Sequence, residues 1–344
     1  MNRRTVSPKV RAAALSSLLT VGVALAGHTA AVADPVGETG TDLASSTSAA
    51  DSRLESVTDI DDRHLVLEVY SASMQRVVPV HVQRPADTSV ARPTLYFLDG
   101  ATRSEKTDVE EFLADENVNV VSPIGGENAY WTDWKNPDPN LGVNKWRTFM
   151  TEELPPIIDA ALGTNGINAI AGMSRVGTAA LQLAIAKPGL YKGVALYSGC
   201  ANISDPLGYA IVTLSMDEYG QGDPANMYGP ANDPEWAAND PYVNAEKLRG
   251  TELFISTGNG LPGRYETLDG PHIDGSTATL FRQVYAGGSI EAVTNYCTHR
   301  LADRLNELEI PATYSFRNSG THSWGYWNDD FHDSWPVLAA SLGL

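Results

Sequence analysis

The 344-residue chain carries 24 basic and 42 acidic residues, a formal charge of −18, and 42% hydrophobic residues. That is enough apolar side chain for a sizeable core in one large domain or two small ones, and the acidic balance argues against nucleic acid or anionic lipid as a partner. Two cysteines, with no CxxC and no H-E-x-x-H, leave no zinc-ligand spacing, so neither metal nor cofactor is expected.

Arg3, Arg4, Lys9 and Arg11 precede an apolar run from Ala12 to Ala26, and Ala31-Val32-Ala33 offers small residues at the cleavage positions. Residues 1–33 therefore read as a secretory signal peptide, the run being short for a membrane anchor. No later segment is long and apolar enough to span a bilayer. Removing the signal takes away four basic residues and no acidic one, moving the formal charge from −18 to −22. Residues 34–62, rich in Ser, Thr, Ala, Gly and Asp, read as a disordered lead-in, and 63–344 as one domain.

Leu65–Tyr70 and Val77–Val82 read as an antiparallel strand pair. Thr94–Leu98 is a short apolar strand ending at the Asp99-Gly100 turn, and Val118–Ser122 another, ending at Pro123. Trp146–Leu162 has helical spacing that Pro155-Pro156 must bend or divide. Ile167–Ala171 is a buried strand, Gly177–Ala186 a helix, and Gly193–Tyr197 a strand. An excursion at about 205–240, rich in Gly, Pro, Asn and Asp, is expected to pack over the end of the sheet. Thr251–Ser256 resumes the strands, 258–276 is loop, Ile290–Leu308 a helix, Ala312–Phe316 a strand and Phe331–Leu342 a final helix. Strands alternating with helices predict an α/β-hydrolase architecture: a mostly parallel central sheet entered by an antiparallel hairpin, with helices on both faces.

Ser174 falls at a strand-to-helix join, Gly172-Met173-Ser174-Arg175-Val176-Gly177, where a G-x-S-x-G nucleophile elbow would stand with its second glycine one place early. Alone, this pattern serves equally for a helix cap. A nucleophilic serine needs a base, and the base an orienting acid, in the order Ser, Asp or Glu, His. His322 follows the last strand in a loop and is the favoured base, with His272 as the runner-up; His299 and His332 fall within predicted helices. The acid is left open among Glu266, Asp269 and Asp274 in the loop and Glu291 at a helix start, where an acidic residue also serves the helix dipole. An oxyanion hole needs two backbone N–H groups, one after the serine, at Arg175, the other from the turn Asp99-Gly100-Ala101-Thr102. Trp131, Trp134, Trp324 and Trp327 are candidate aromatic walls. Export would permit a Cys200–Cys297 disulfide, which spacing alone does not establish.

Seven stretches, LYFLDGATR (95–103), SPIGGENAYWTDW (122–134), KWRTFMTEELP (145–155), AIAGMSRVGTAALQLAIAKP (169–188), DPEWAANDP (233–241), TGNG (257–260) and GTHSWGYW (320–327), run in an order that resembles the antigen 85-type mycolyltransferases, across most of residues 65–340. The resemblance implies a secreted, cell-envelope acyltransferase whose partners are trehalose mycolates and envelope acceptors: glycolipid, arabinogalactan or protein. It implies Ser174 as nucleophile, His322 as base and, from its 31-residue spacing to His322, Glu291 as acid, with Ala101 and Arg175 as oxyanion donors. Asp99, Thr102, Arg103, Asn202, Ser323 and Trp324 match or neighbour positions that contact substrate. There are departures. Thr102 stands where the family has arginine, with Arg103 one place later, Asn202 replaces an acidic residue, Thr257 replaces a modifiable cysteine, and the paired cysteines before Lys145-Trp146 are missing. These place the chain nearer the corynebacterial branch. A carboxylesterase or lipase on the same scaffold, and a matrix-binding surface protein without catalysis, are the competing readings.

Overall fold

A computed structural model describes residues 51–98, 106–218 and 222–344. Nine strands among them form one sheet: β1 (Arg53–Asp59), β2 (His64–Ser71), β3 (Arg76–Gln83), β4 (Thr94–Leu98), β5 (Asn119–Pro123), β6 (Asn168–Met173), β7 (Tyr191–Tyr197), β8 (Glu252–Thr257) and β9 (Thr313–Phe316). The spatial order is β1-β2-β3-β5-β4-β6-β7-β8-β9. The first three strands are antiparallel and β3 meets β5 antiparallel; every pair from β5 onward is parallel. β4 and β6 are buried along their whole length, as strands covered on both faces must be.

The helices are α1 (Val109–Phe112), α2 (Trp146–Thr148), α3 (Leu154–Leu162), α4 (Ser174–Ala186), α5 (Pro206–Glu218), α6 (Pro224–Tyr228), α7 (Pro234–Ala238), α8 (Thr277–Arg282), α9 (Gly288–Glu307) and α10 (Trp324–Leu342). The predicted helix over Trp146–Leu162 is indeed divided: a π-turn, Phe149–Glu153, separates α2 from α3, whose first turn carries Pro155-Pro156. A second π-turn, Gln283–Gly287, joins α8 to α9. On β7 a Cβ at Gly193 would meet Leu338 and Ser341 of α10, whereas Leu196, three positions on, meets Gly177 of α4. Odd and even strand positions face opposite ways, so α10 and α4 cover opposite faces of the sheet.

Two expectations need correction. The lead-in drawn through Asp62 contains β1, which pairs with β2 from Arg53↔Tyr70 to Asp59↔Leu65. All but one of its residues are exposed, so backbone pairing holds it without an apolar alternation to announce it. The final helix starts at Trp324, seven residues before the predicted Phe331, directly after Ser323. The excursion carries three helices, α5, α6 and α7, each opened by proline; Asp223 and Asp233 cap α6 and α7 through the N–H groups of Ala225 and Glu235. All described elements belong to one compact unit.

Candidate active site

The carboxyl ends of the parallel strands meet on one edge, where α/β sheets place their ligands. Ser174 follows β6 and opens α4 with φ +53°, a left-handed conformation that costs a non-glycine residue energy and turns the side chain out of the sheet. The sharp turn needs close approach of strand and helix. A Cβ on Gly177 would lie 2.7 Å from the Gly172 carbonyl oxygen, so Gly177 gives the clearance that the missing glycine at 176 would supply. Arg175 stands second in α4, among the first amides of a helix, which have no partner within it.

His322 lies in the turn between β9 and α10. Its Nε2 is 2.7 Å from Ser174 Oγ and its Nδ1 is 2.8 Å from Glu291 Oε2. Glu291, in the first turn of α9, is fully buried. Its Oε1 accepts from Ser198 Oγ at 2.7 Å, from the Gly258 N–H at 2.5 Å and from Thr257 Oγ1 at 3.1 Å, groups that follow β7 and end β8. Burial pushes this carboxyl up, but the His322 contact and these donors outweigh it and hold its pKa at about 2. The His322 N–H donates to the Gly287 carbonyl at 3.2 Å, and Trp327 meets the imidazole edge-on at 4.8 Å. The structure thus brings Ser174, His322 and Glu291, scattered over 148 residues, into one hydrogen-bonded chain.

A cavity of about 440 Å³ opens at Ser174 and His322. Its walls are mostly apolar: Ile203, Ile211, Val212 and Leu214 from α5 and its approach, Ile290 and Val293 from α9, and Tyr130 and Trp327. Its size is that of a small-molecule site. The α5 and α9 residues went unmarked in the sequence, since nothing local says that two distant amphipathic segments face each other. Cys200, joined to Cys297 in a disulfide, also lines this cavity.

The other expected site residues divide. Arg175 lines the cavity; its guanidinium lies 5.7 Å from the Tyr130 ring centre and donates to Asn128 Oδ1 at 3.3 Å. Asn202 lines it too, donating to Asp205 Oδ2 at 2.9 Å, while its own Oδ1 has no hydrogen-bond partner among the described residues. Ser323 is buried at the start of α10, off the cavity wall. Trp324 also stands off it, edge-on to Trp327. Trp131 and Trp134 are no walls: both are buried in the core, Trp131 against Trp146. Asp269, His272 and Asp274 are exposed in the 258–276 loop, and Glu266 turns to other partners. Asp99, Ala101, Thr102 and Arg103 lie outside the described residues. Among the described residues no cluster of three His, Cys, Asp or Glu side chains offers a metal site.

A family model described as putative esterase matches residues 71–337. The mycolyltransferase Ag85A of Mycobacterium leprae (strain TN), also described as a diacylglycerol acyltransferase, is 32% identical over 297 residues, covering 80% of this chain and 83% of its own. Ag85B of Mycobacterium avium is 28% identical over 295 residues, 80% of this chain and 83% of its own. In fold, the chain is similar to MPT51 (FbpC1) of Mycobacterium tuberculosis at TM-score 0.67 and 21% identity, over 82% of this chain and all of that one. It is also similar to an S-formylglutathione hydrolase from Agrobacterium tumefaciens at TM-score 0.57 and 17% identity, over 84% of this chain and 99% of the other. With a family match across most of its length and an antigen 85 relative above 30% identity, the chain belongs to the esterase family, in its antigen 85-type branch.

Proposed function

We propose that the protein is a secreted serine acyltransferase that moves a mycoloyl group from trehalose monomycolate, through acyl-Ser174, to a second trehalose monomycolate or another cell-envelope hydroxyl, an arabinan or a protein serine. One observation carries the reading: a cavity with mostly apolar walls opens at the hydroxyl that His322 contacts, so an acyl group and a nucleophile share one space. The antigen 85 relatives supply the acyl class.

In this reading, Ser174 Oγ attacks the ester carbonyl of the donor and passes its proton to His322 Nε2. Glu291 accepts from Nδ1–H, which keeps Nε2 free to act as base and steadies the imidazolium that forms. The oxyanion turns toward the Arg175 N–H, with the Ala101 N–H as the expected second donor. Nε2–H then protonates the departing trehalose oxygen, leaving the acyl ester on Ser174. The acceptor hydroxyl gives its proton to Nε2, attacks the acyl carbon, and Ser174 leaves with that proton restored.

Incubating the protein with a short-chain ester, with and without trehalose, tests the assignment. A transferase diverts acyl groups to the sugar; release of free acid alone, unaltered by trehalose, makes it a carboxylesterase. Inertness toward esters and serine-directed probes would favour the matrix-binding role instead.

A further inference from the structure

Glu266 is the loop carboxylate that sequence order offers as an acid for His322, yet its oxygens face elsewhere. Oε1 accepts from Thr321 Oγ1 at 2.6 Å and from Gln283 Nε2 at 2.8 Å, while Oε2 accepts from the Gly263 N–H at 2.6 Å and from Tyr326 OH at 2.7 Å. The four donors come from four places: its own loop, the start of the π-turn that leads into α9, the residue before His322, and the first turn of α10. A carboxylate has about four lone-pair sites, so all are filled. Burial pushes the Glu266 carboxyl up, but the donations from Thr321, Gly263, Tyr326 and Gln283 outweigh it and hold it below the usual range.

The π-turn works from the other side as well. Its last residue, Gly287, accepts the His322 N–H, so residues 321 and 322 are held by one side-chain bond and one backbone bond to the same cradle. Glu291 stands four residues beyond Gly287 in the continuous helical run. Gly320, at φ +112°, lets the chain turn tightly over the Tyr326 ring, where a Cβ would come within 3.2 Å.

We propose that Glu266 is a positioning residue: by clamping Thr321 and Gln283 to one carboxylate, it sets the His322 imidazole against both Glu291 and Ser174. It acts on turnover without touching substrate. The inference rests on the reading of Ser174 as the nucleophile that His322 serves.

The test uses Glu266→Gln, Thr321→Val and Thr321→Ser in the full-length protein, with kcat and KM on p-nitrophenyl butyrate, thermal midpoint, and the proton NMR resonance of the His322 Nδ1–H bonded to Glu291. An amide at 266 must point hydrogens at two donors. A valine at 321 removes only the hydroxyl bond. Each should lower kcat about 10- to 100-fold with KM nearly unchanged, the range expected when a misplaced group loses its reacting geometry. Thr321→Ser, which keeps the hydroxyl, should restore most of the rate, and the double variant should fall no further than either single one. The Nδ1–H resonance should broaden or shift in Glu266→Gln and Thr321→Val and return in Thr321→Ser. Folded variants with wild-type kcat and an unchanged resonance would overturn the proposal. If Glu266→Gln does not fold, the Thr321 pair decides. If the wild type turns over no ester, the acyl-transfer reading falls, while the resonance series still decides whether Glu266 positions the imidazole.

Discussion

Ser174 holds a strained backbone angle, and the cost is met by what surrounds it: Gly177 packed on Gly172, and His322 within 2.7 Å of the hydroxyl. Glu291 is the residue on which the imidazole depends. Glu291→Gln keeps the shape but changes which nitrogen is driven to carry the proton, and should cut kcat about 10³- to 10⁴-fold. Asp269→Asn and Asp274→Asn, at exposed loop positions, should leave it unchanged; steady-state kinetics on one ester reads all three. The same carboxyl gives a pH signature. Its folded pKa, about 2, lies below the ordinary 4.5, so its stabilisation is whole above pH 4.5 and is lost as the pH falls from 4.5 toward 2. Urea unfolding across that window should be steeper in pH for wild type than for Glu291→Gln. At this scale much was legible. Ser174 and His322 stood out by order and loop context, but choosing Glu291 over Glu266, Asp269 and Asp274 needed the family register. Residue order says which carboxylates are eligible, while only the packed loop says which one turns toward the imidazole.

Two elements, α5 and α9, make the cavity, and a disulfide ties the second of them to the sheet. Cys297 lies on α9 six residues after Glu291, and Cys200 two residues after Ser198, which donates to that carboxylate. The bridge closes a loop of 97 residues, so Cys200→Ser with Cys297→Ser should cost about 2–5 kcal/mol in denaturant unfolding. Turnover should fall with it, as the acid-bearing helix gains freedom. Val293, 36% exposed on α9 and part of the cavity wall, is a position where bulk narrows the channel without overfilling the core. Val293→Trp should lower kcat/KM for long-chain esters by about tenfold or more while leaving acetyl ester hydrolysis intact, since differential fit of apolar groups in a pocket has that reach. The strands were legible from apolar runs, most closely Thr94–Leu98, which the structure reproduces residue for residue. β1 was not, because all but one of its side chains are exposed, and neither was the early start of α10, where Trp324-Gly325-Tyr326-Trp327 shows no helical spacing. The helices of the 205–240 excursion went unassigned, although the Asp-Pro pairs that open α6 and α7 were in view.

For the whole molecule, a sheet whose parallel strands end on one edge lets five separate segments contribute to a single place: Ser174 after β6, Ser198 after β7, Gly258 after β8, Glu291 on α9, and His322 after β9. Alternation of strand and helix was enough to predict this architecture, because the parallel sheet follows from the connections. The cavity was not, because it arises from the tertiary facing of α5 and α9. Among the described residues no helix is long and apolar enough to cross a membrane. The measurement that bears most directly on the account is mass spectrometry of the protein after exposure to trehalose monomycolate. The account predicts an adduct of one mycoloyl group on Ser174, absent from Ser174→Ala and cleared on adding a hydroxyl acceptor. No adduct, or one on another residue that persists in Ser174→Ala, would contradict it.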